Sequence, residues 1–300
     1  MTGRDWARLL ILAAVWSASF FLAEIALRGF GPMTIAAGRV GMGAVLLLGW
    51  MAARGMTPPI GRWRAFAIMG LLNNAAPFTL IFWAQQEIDS GLAAILNATT
   101  PLFVAAIAAS LGMEPLSGRR LLALCLGVAG VAILIGPEAW QGVGSSLFPE
   151  GAVLLAALFY ALAGIFGRRA LTGLAPDAAA CGMLLGSSAL MIPAALVVER
   201  PWEAHPGPAA ILAMLALAAF GTALAYGLYF RILKSAGATN LLLVTLLMPA
   251  GALVLGVLFL GERVGLGQLV GLALILLALV LIDGRLVARL RARSRRAAAT

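Results

Sequence analysis

Residues 101–114 read PLFVAAIAASLGME, and residues 249–262 read PAGALVLGVLFLGE. Each stretch opens on a proline, runs twelve residues without a charge and ends on a glutamate, and the two lie 148 residues apart. The same offset places Phe82 on Phe230 and Leu80 on Leu228, so the register extends into a neighbouring helix. A stack of apolar helices yields some matches by chance. A P-x12-E spacing that recurs at corresponding helices is better read as an internal duplication.

Both stretches lie in longer apolar runs, Gly91–Gly112 and Leu241–Leu260. A helix needs about 20 apolar residues to cross about 30 Å of hydrocarbon. Further runs occur at Leu9–Leu27, Met33–Ala53, Ala65–Trp83, Leu121–Ile135, Ala152–Phe166, Ala178–Val198, Ala209–Phe230 and Leu266–Ile282, the fifth and sixth in chain order being short. Ten spans divide into five per half, and an odd number forces the halves into opposite orientations. The predicted fold is an all-α integral membrane protein of ten transmembrane helices in two inverted five-helix repeats. Residues 1–136 form the first repeat, 137–151 a periplasmic linker, 152–284 the second repeat and 285–300 a basic cytoplasmic tail. The run Leu9–Leu22 behind Arg4 and Arg8 resembles a signal sequence, but it continues to Leu27 and more spans follow, so it reads as a retained helix.

Composition agrees. Of 300 residues 62% are hydrophobic and 11% charged, and mean hydropathy is +1.02; a soluble domain averages about 45–50% apolar and about 25% charged. With the N-terminus in the cytoplasm, seventeen Lys and Arg fall inside, three (Arg28, Arg200, Arg263) outside and one, Arg39, within a span. Both ends are therefore expected to be cytoplasmic, in a bacterial-type inner membrane. The formal charge of +9 is concentrated in those inner segments and in Arg285–Arg296, which reads as an anchor for anionic headgroups and not a nucleic-acid surface. Trp6, Trp50, Trp63, Trp83, Trp140 and Trp202 fall near span boundaries as an aromatic belt, whereas Trp16 is mid-span.

At this point the chain resembles the drug/metabolite transporter superfamily, in its EamA-type ten-helix exporter branch. The resemblance rests on Trp16-Ser17-Ala18-Ser19-Phe20, Arg39, Pro101 with Glu114, Pro249 with Glu262, and Gly271, and covers essentially the whole chain. Ser17 stands where the family commonly has Gly, and the second repeat carries Phe159-Tyr160 in place of a matching Trp. The resemblance implies export of amino acids or related small metabolites by alternating access through a central cavity.

Candidate site residues follow from polarity at membrane depth. Proline frees the carbonyl four residues earlier, which here belongs to Asn97 for Pro101 and to Thr245 for Pro249. Matched broken helices point to a midplane site; a packing kink is the plain alternative, as it is for Pro77. The expected cavity wall is Trp16, Ser19, Phe20, Asn74, Phe78, Asn97, Thr100, Tyr160, Tyr226 and Thr245, although Tyr226 and Tyr229 also fit an interfacial belt. Arg39 should have a partner, because Arg at a helix centre costs about 2.5–3.5 kcal/mol. Glu24 is the intramembrane acid within reach, giving either a gate or a structural clamp, and Arg28 one turn on competes for it.

No G-x4-G-K-[ST], H-E-x-x-H or C-x-x-C occurs, and Cys125 and Cys181 lie apart in apolar runs, so neither an enzyme nor a cofactor or metal is expected. The G-x-x-x-G pairs Gly182–Gly186 and Gly267–Gly271 permit close helix contact, within the bundle or at a dimer seam. The expected partners are a small-molecule substrate and the bilayer, with a monomer or a dimer both open. A small-solute channel and a broad-specificity drug efflux carrier are the rival functions. On this topology, an impermeant thiol reagent applied outside is expected to label a cysteine placed at Gly142 and to spare one placed at Leu290.

Overall fold

The structure, a computed structural model, describes residues 2–57, 60–113, 117–140, 147–241 and 243–283, and among these its regular secondary structure is entirely helical. Glu114, residues 141–146 of the linker and the basic tail lie outside the described residues, as does the side chain of Trp140. The helices at the expected spans, numbered in chain order, are Gly3–Leu27 (span 1), Pro32–Ala52 (span 2), Trp63–Ala84 (span 3) and Ser90–Ser110 (span 4), then Gly118–Trp140 (span 5). The second half has Leu147–Ala170 (span 6), Pro176–Val198 (span 7), Pro208–Ala236 (span 8), Leu243–Leu260 (span 9) and Leu266–Asp283 (span 10).

Eight of these are long and apolar enough to cross a membrane, and span 10 is a shorter apolar helix. Spans 5 and 6, expected to be short, are helices of 23 and 24 residues. Backbone hydrogen bonding continues past the apolar run at each of these ends, so hydropathy alone under-reads their length. Span 1 starts on a reciprocal cap, with Thr2 Oγ1 accepting from the Asp5 backbone N–H and Asp5 Oδ2 accepting from that of Thr2. Val45, Leu212, Leu258 and Phe259 are exposed on the outer faces, as are Trp6, Trp50, Trp63, Trp83 and Trp202. Such a surface suits lipid and belt positions, not water.

The packing is duplicated. Span 1 lies against spans 8 and 9, and span 6 lies correspondingly against spans 3 and 4. Span 2 contacts span 8 as span 7 contacts span 3, while the pairs 2–7, 4–9 and 5–10 each map onto themselves. Local geometry follows the same offset, since the third span turns into a π-helix at Leu71–Ala75 and the eighth at Ala219–Leu224. In span 3 the widened turn precedes Pro77, which lacks the N–H that a tight helix would use. In span 8 the equivalent position is Ala225, so the π turn belongs to the repeat and does not require proline.

Glycine permits the closest approaches. A Cβ on Gly186 would lie 2.3 Å from the Phe66 carbonyl oxygen, and one on Gly70 would lie 2.5 Å from the Ser187 nitrogen. Spans 3 and 7 therefore touch backbone to backbone. Gly182 faces the Phe66 ring and Gly271 the Gly130 carbonyl, so both G-x-x-x-G pairs serve contacts inside the bundle. Gly186→Leu is expected to lower the melting temperature in detergent, with an overpacking cost of about 1–3 kcal/mol or more. Gly49→Leu, which meets no neighbour within 4 Å, should leave it nearly unchanged.

Candidate functional site

The π turn of span 3 places two polar side chains against span 8. Asn73 and Asn74 are adjacent on the span 3 turn, and both reach Tyr226 on span 8. Asn73 Nδ2 donates to the Tyr226 hydroxyl at 3.0 Å, and that hydroxyl donates to Asn74 Oδ1. Asn74 Nδ2 then donates to Ser187 Oγ on span 7 at 2.6 Å. Tyr226 is 4% exposed and Asn74 0%, so this is a fully paired interior network, and Tyr226 is not a belt residue.

Arg39 lies on the matching contact. Its Nε donates to Thr222 Oγ1 at 3.0 Å and its Nη2 to the Gly221 carbonyl at 3.0 Å, both on the span 8 π turn. The Phe78 ring lies under the guanidinium, 3.9 Å from Cζ to centroid, with Phe82 at 5.7 Å. Under the 148-residue offset Arg39 maps onto Ser187 and Asn74 onto Thr222. The Arg39–Thr222 and Ser187–Asn74 contacts are thus two copies of one junction, one of which carries a charge.

The expected Glu24–Arg39 ion pair does not form. Among the described residues Arg39 has no carboxylate partner; neutral acceptors and a ring face hold it, and its side chain extends toward span 8. Glu24 lies instead near the end of span 1, beside Arg28, Gln85, Gln86, Glu87, Asp89, Leu260 and Glu262. There Glu262 caps span 4: Oε1 accepts from the Ser90 N–H at 2.9 Å and hydroxyl at 2.5 Å, and Oε2 from the Gly91 N–H at 3.1 Å. Asp89, just before span 4, has its carboxyl pushed above the usual range by burial and by the nearby Glu262 charge.

Of the sequence candidates, Trp16, Asn74, Phe78 and Tyr226 meet at this centre. Trp16 packs edge-on to Tyr226 (6.3 Å between centroids) and tilted against Tyr229 (5.8 Å). Ser19 faces Gly221, where an added Cβ would come within 2.7 Å of its Oγ. Trp16, Tyr160 and Tyr229 are half-buried and packed against the core. Phe20 is buried, and its carbonyl accepts from Gln85 Nε2 at 2.9 Å.

The span 4 candidates stand apart from this network. The helix stops at Asn97 and restarts at Thr100, before Pro101. The Asn97 carbonyl accepts from Thr100 Oγ1 at 2.8 Å, while its buried side-chain Oδ1 has no partner. Pro249 differs, sitting inside the continuous helix Leu243–Leu255, with Thr245 half-buried one turn earlier. That span joins span 1 through Ser17, whose Oγ donates to the Met248 carbonyl at 3.0 Å. The residues missed in the sequence are Ser187 and Thr222 as partners in these contacts; the repeat register, which maps Asn74 onto Thr222 and Arg39 onto Ser187, carried the signal for both.

Comparison with known proteins adds the family. A model described as the EamA-like transporter family matches residues 6–136 and 148–283. The uncharacterised inner membrane transporter YedA of Escherichia coli (strain K12) is 27% identical over 91% of this chain and 89% of its own. Protein PecM of Dickeya dadantii (strain 3937) is 27% identical over 90% and 89%. A solved crystal structure aligns with a TM-score of 0.68 at 20% identity, covering 96% of this chain and 99% of that one, which supports the fold.

Two substitutions separate the network from the unformed pair. Tyr226→Phe leaves Asn74 Oδ1 without a donor and is expected to destabilise the protein by about 1–3 kcal/mol. Glu24→Gln removes no bond present here and should leave the melting temperature unchanged.

Proposed function

The chain belongs to the EamA-like transporter family, and we propose that it exports amino acids or related small carboxylate metabolites by alternating access through a central cavity. It would do so from a bacterial-type inner membrane with both termini cytoplasmic. The observation that supports this reading is the buried Arg39 guanidinium, 3% exposed and without a carboxylate partner among the described residues.

A cation at membrane depth is costly unless something supplies the countercharge. Thr222 and Gly221 satisfy hydrogen bonds but leave the positive charge. A substrate carboxylate arriving beside Arg39 would supply it, and charge-assisted hydrogen bonding to guanidinium favours planar carboxylates. Trp16, Tyr160, Tyr226 and Tyr229 would face the apolar part of the solute. The repeat interface is where carriers of two-repeat design hold substrate, and the span 4 break at Ala98–Thr99 offers a point at which that helix can bend.

In proteoliposomes, counterflow of an exported amino acid is expected to saturate, and its carboxamide analogue should be carried at least about tenfold less well, as loss of a charged hydrogen bond implies. Arg39→Gln should abolish the preference while Arg39→Lys keeps part of it. Non-saturating flux would identify a channel, and equal transport of acid and amide would refute the role given to Arg39.

A further inference from the structure

The bundle holds, near the end of span 1, a second polar site unrelated to the Arg39 contacts. A pocket there is lined by Glu24, Arg28, Gln85, Gln86, Glu87, Asp89 and Glu262, four carboxylates against one guanidinium. Two side-chain oxygens of residues lining it, Glu24 Oε2 and Gln85 Oε1, are buried and have no donor among the described residues. Gln85 is 3% exposed, and its amide orientation is fixed because Nε2 must be the atom that donates to the Phe20 carbonyl at 2.9 Å. Its oxygen is left over as an acceptor, so the missing partner is a hydrogen-bond donor.

Charge and geometry narrow the ligand. The carboxylate excess favours a cation, and Asp89 and Glu262, which repel each other, would both gain from one. Glu262 is fully engaged with Ser90 and Gly91, so it contributes charge more than free lone pairs. Among the described residues no group of three or more His, Cys, Asp or Glu is placed to hold a metal ion. A donor-bearing organic cation fits where a metal does not.

We propose that this pocket binds a primary ammonium group, with Glu24 and Gln85 as its acceptors, as a station distinct from the central site. The inference does not rest on the carboxylate reading of Arg39. The test uses the full-length protein in lipid nanodiscs and calorimetric titration with n-propylammonium, which carries no carboxylate, so its binding is independent of substrate recognition at Arg39. Propylammonium is expected to bind saturably, and tetramethylammonium, equal in charge but lacking N–H donors, at least about tenfold more weakly. Glu24→Gln and Gln85→Met should each weaken propylammonium by a similar factor. If Gln85→Met does not fold, Glu24→Gln decides the matter alone. No propylammonium binding, equal binding of tetramethylammonium, tighter binding of calcium, or propylammonium binding unchanged by Glu24→Gln would each overturn the proposal.

Discussion

Arg39 is a permanent charge in a position where water cannot reach it from the lipid side, and the arrangement of spans 2, 3 and 8 follows from accommodating it. Its stem leaves span 2 and its head is taken up by span 8, where the π turn brings the Gly221 carbonyl and the Thr222 hydroxyl toward it. Phe78 and Phe82 from span 3 close one face of the guanidinium. Gly221 must lack a side chain, since a Cβ there would crowd Ser19 Oγ at 2.7 Å.

The same junction, built without charge, holds the other half. Ser187 and Asn74 occupy the positions that Arg39 and Thr222 occupy in the first copy, and they are linked by one hydrogen bond at 2.6 Å. Duplication supplied a frame in which every major packing contact has a counterpart. Divergence at a few positions then made it asymmetric, placing a cation on one side and an amide–phenol network on the other. A solute at the interface would meet two different surfaces, and that difference lets a symmetric bundle recognise an asymmetric molecule.

Where spans 2 and 4 begin, the second half caps helices of the first. Glu262 closes the N-terminus of span 4, and Glu199 that of span 2, accepting from the Met33 and Thr34 N–H groups at 2.9 and 2.7 Å. A carboxylate at a helix N-terminus satisfies orphan donors and meets the favourable end of the helix dipole. These caps bind the halves together while leaving the interior to the polar network.

Much of this was legible without coordinates. Apolar run length gave the spans, because hydrocarbon thickness fixes how many residues a helix needs, and the P-x12-E pair with its offset gave the duplication. Trp16, Asn74, Phe78 and Tyr226 stood out because polar or amphipathic groups in mid-span must find partners. Hydropathy could not reveal the partners themselves. Arg39 and Glu24 are neighbours in an antiparallel drawing of spans 1 and 2, but the direction of a side chain around its helix depends on which helices pack there. Span 8, roughly 180 residues later in the chain, decided that Arg39 faces Thr222. The π turns were likewise invisible, since their composition matches that of ordinary helix. Sequence set which groups require satisfaction in lipid, and tertiary packing alone decided which of them satisfy one another.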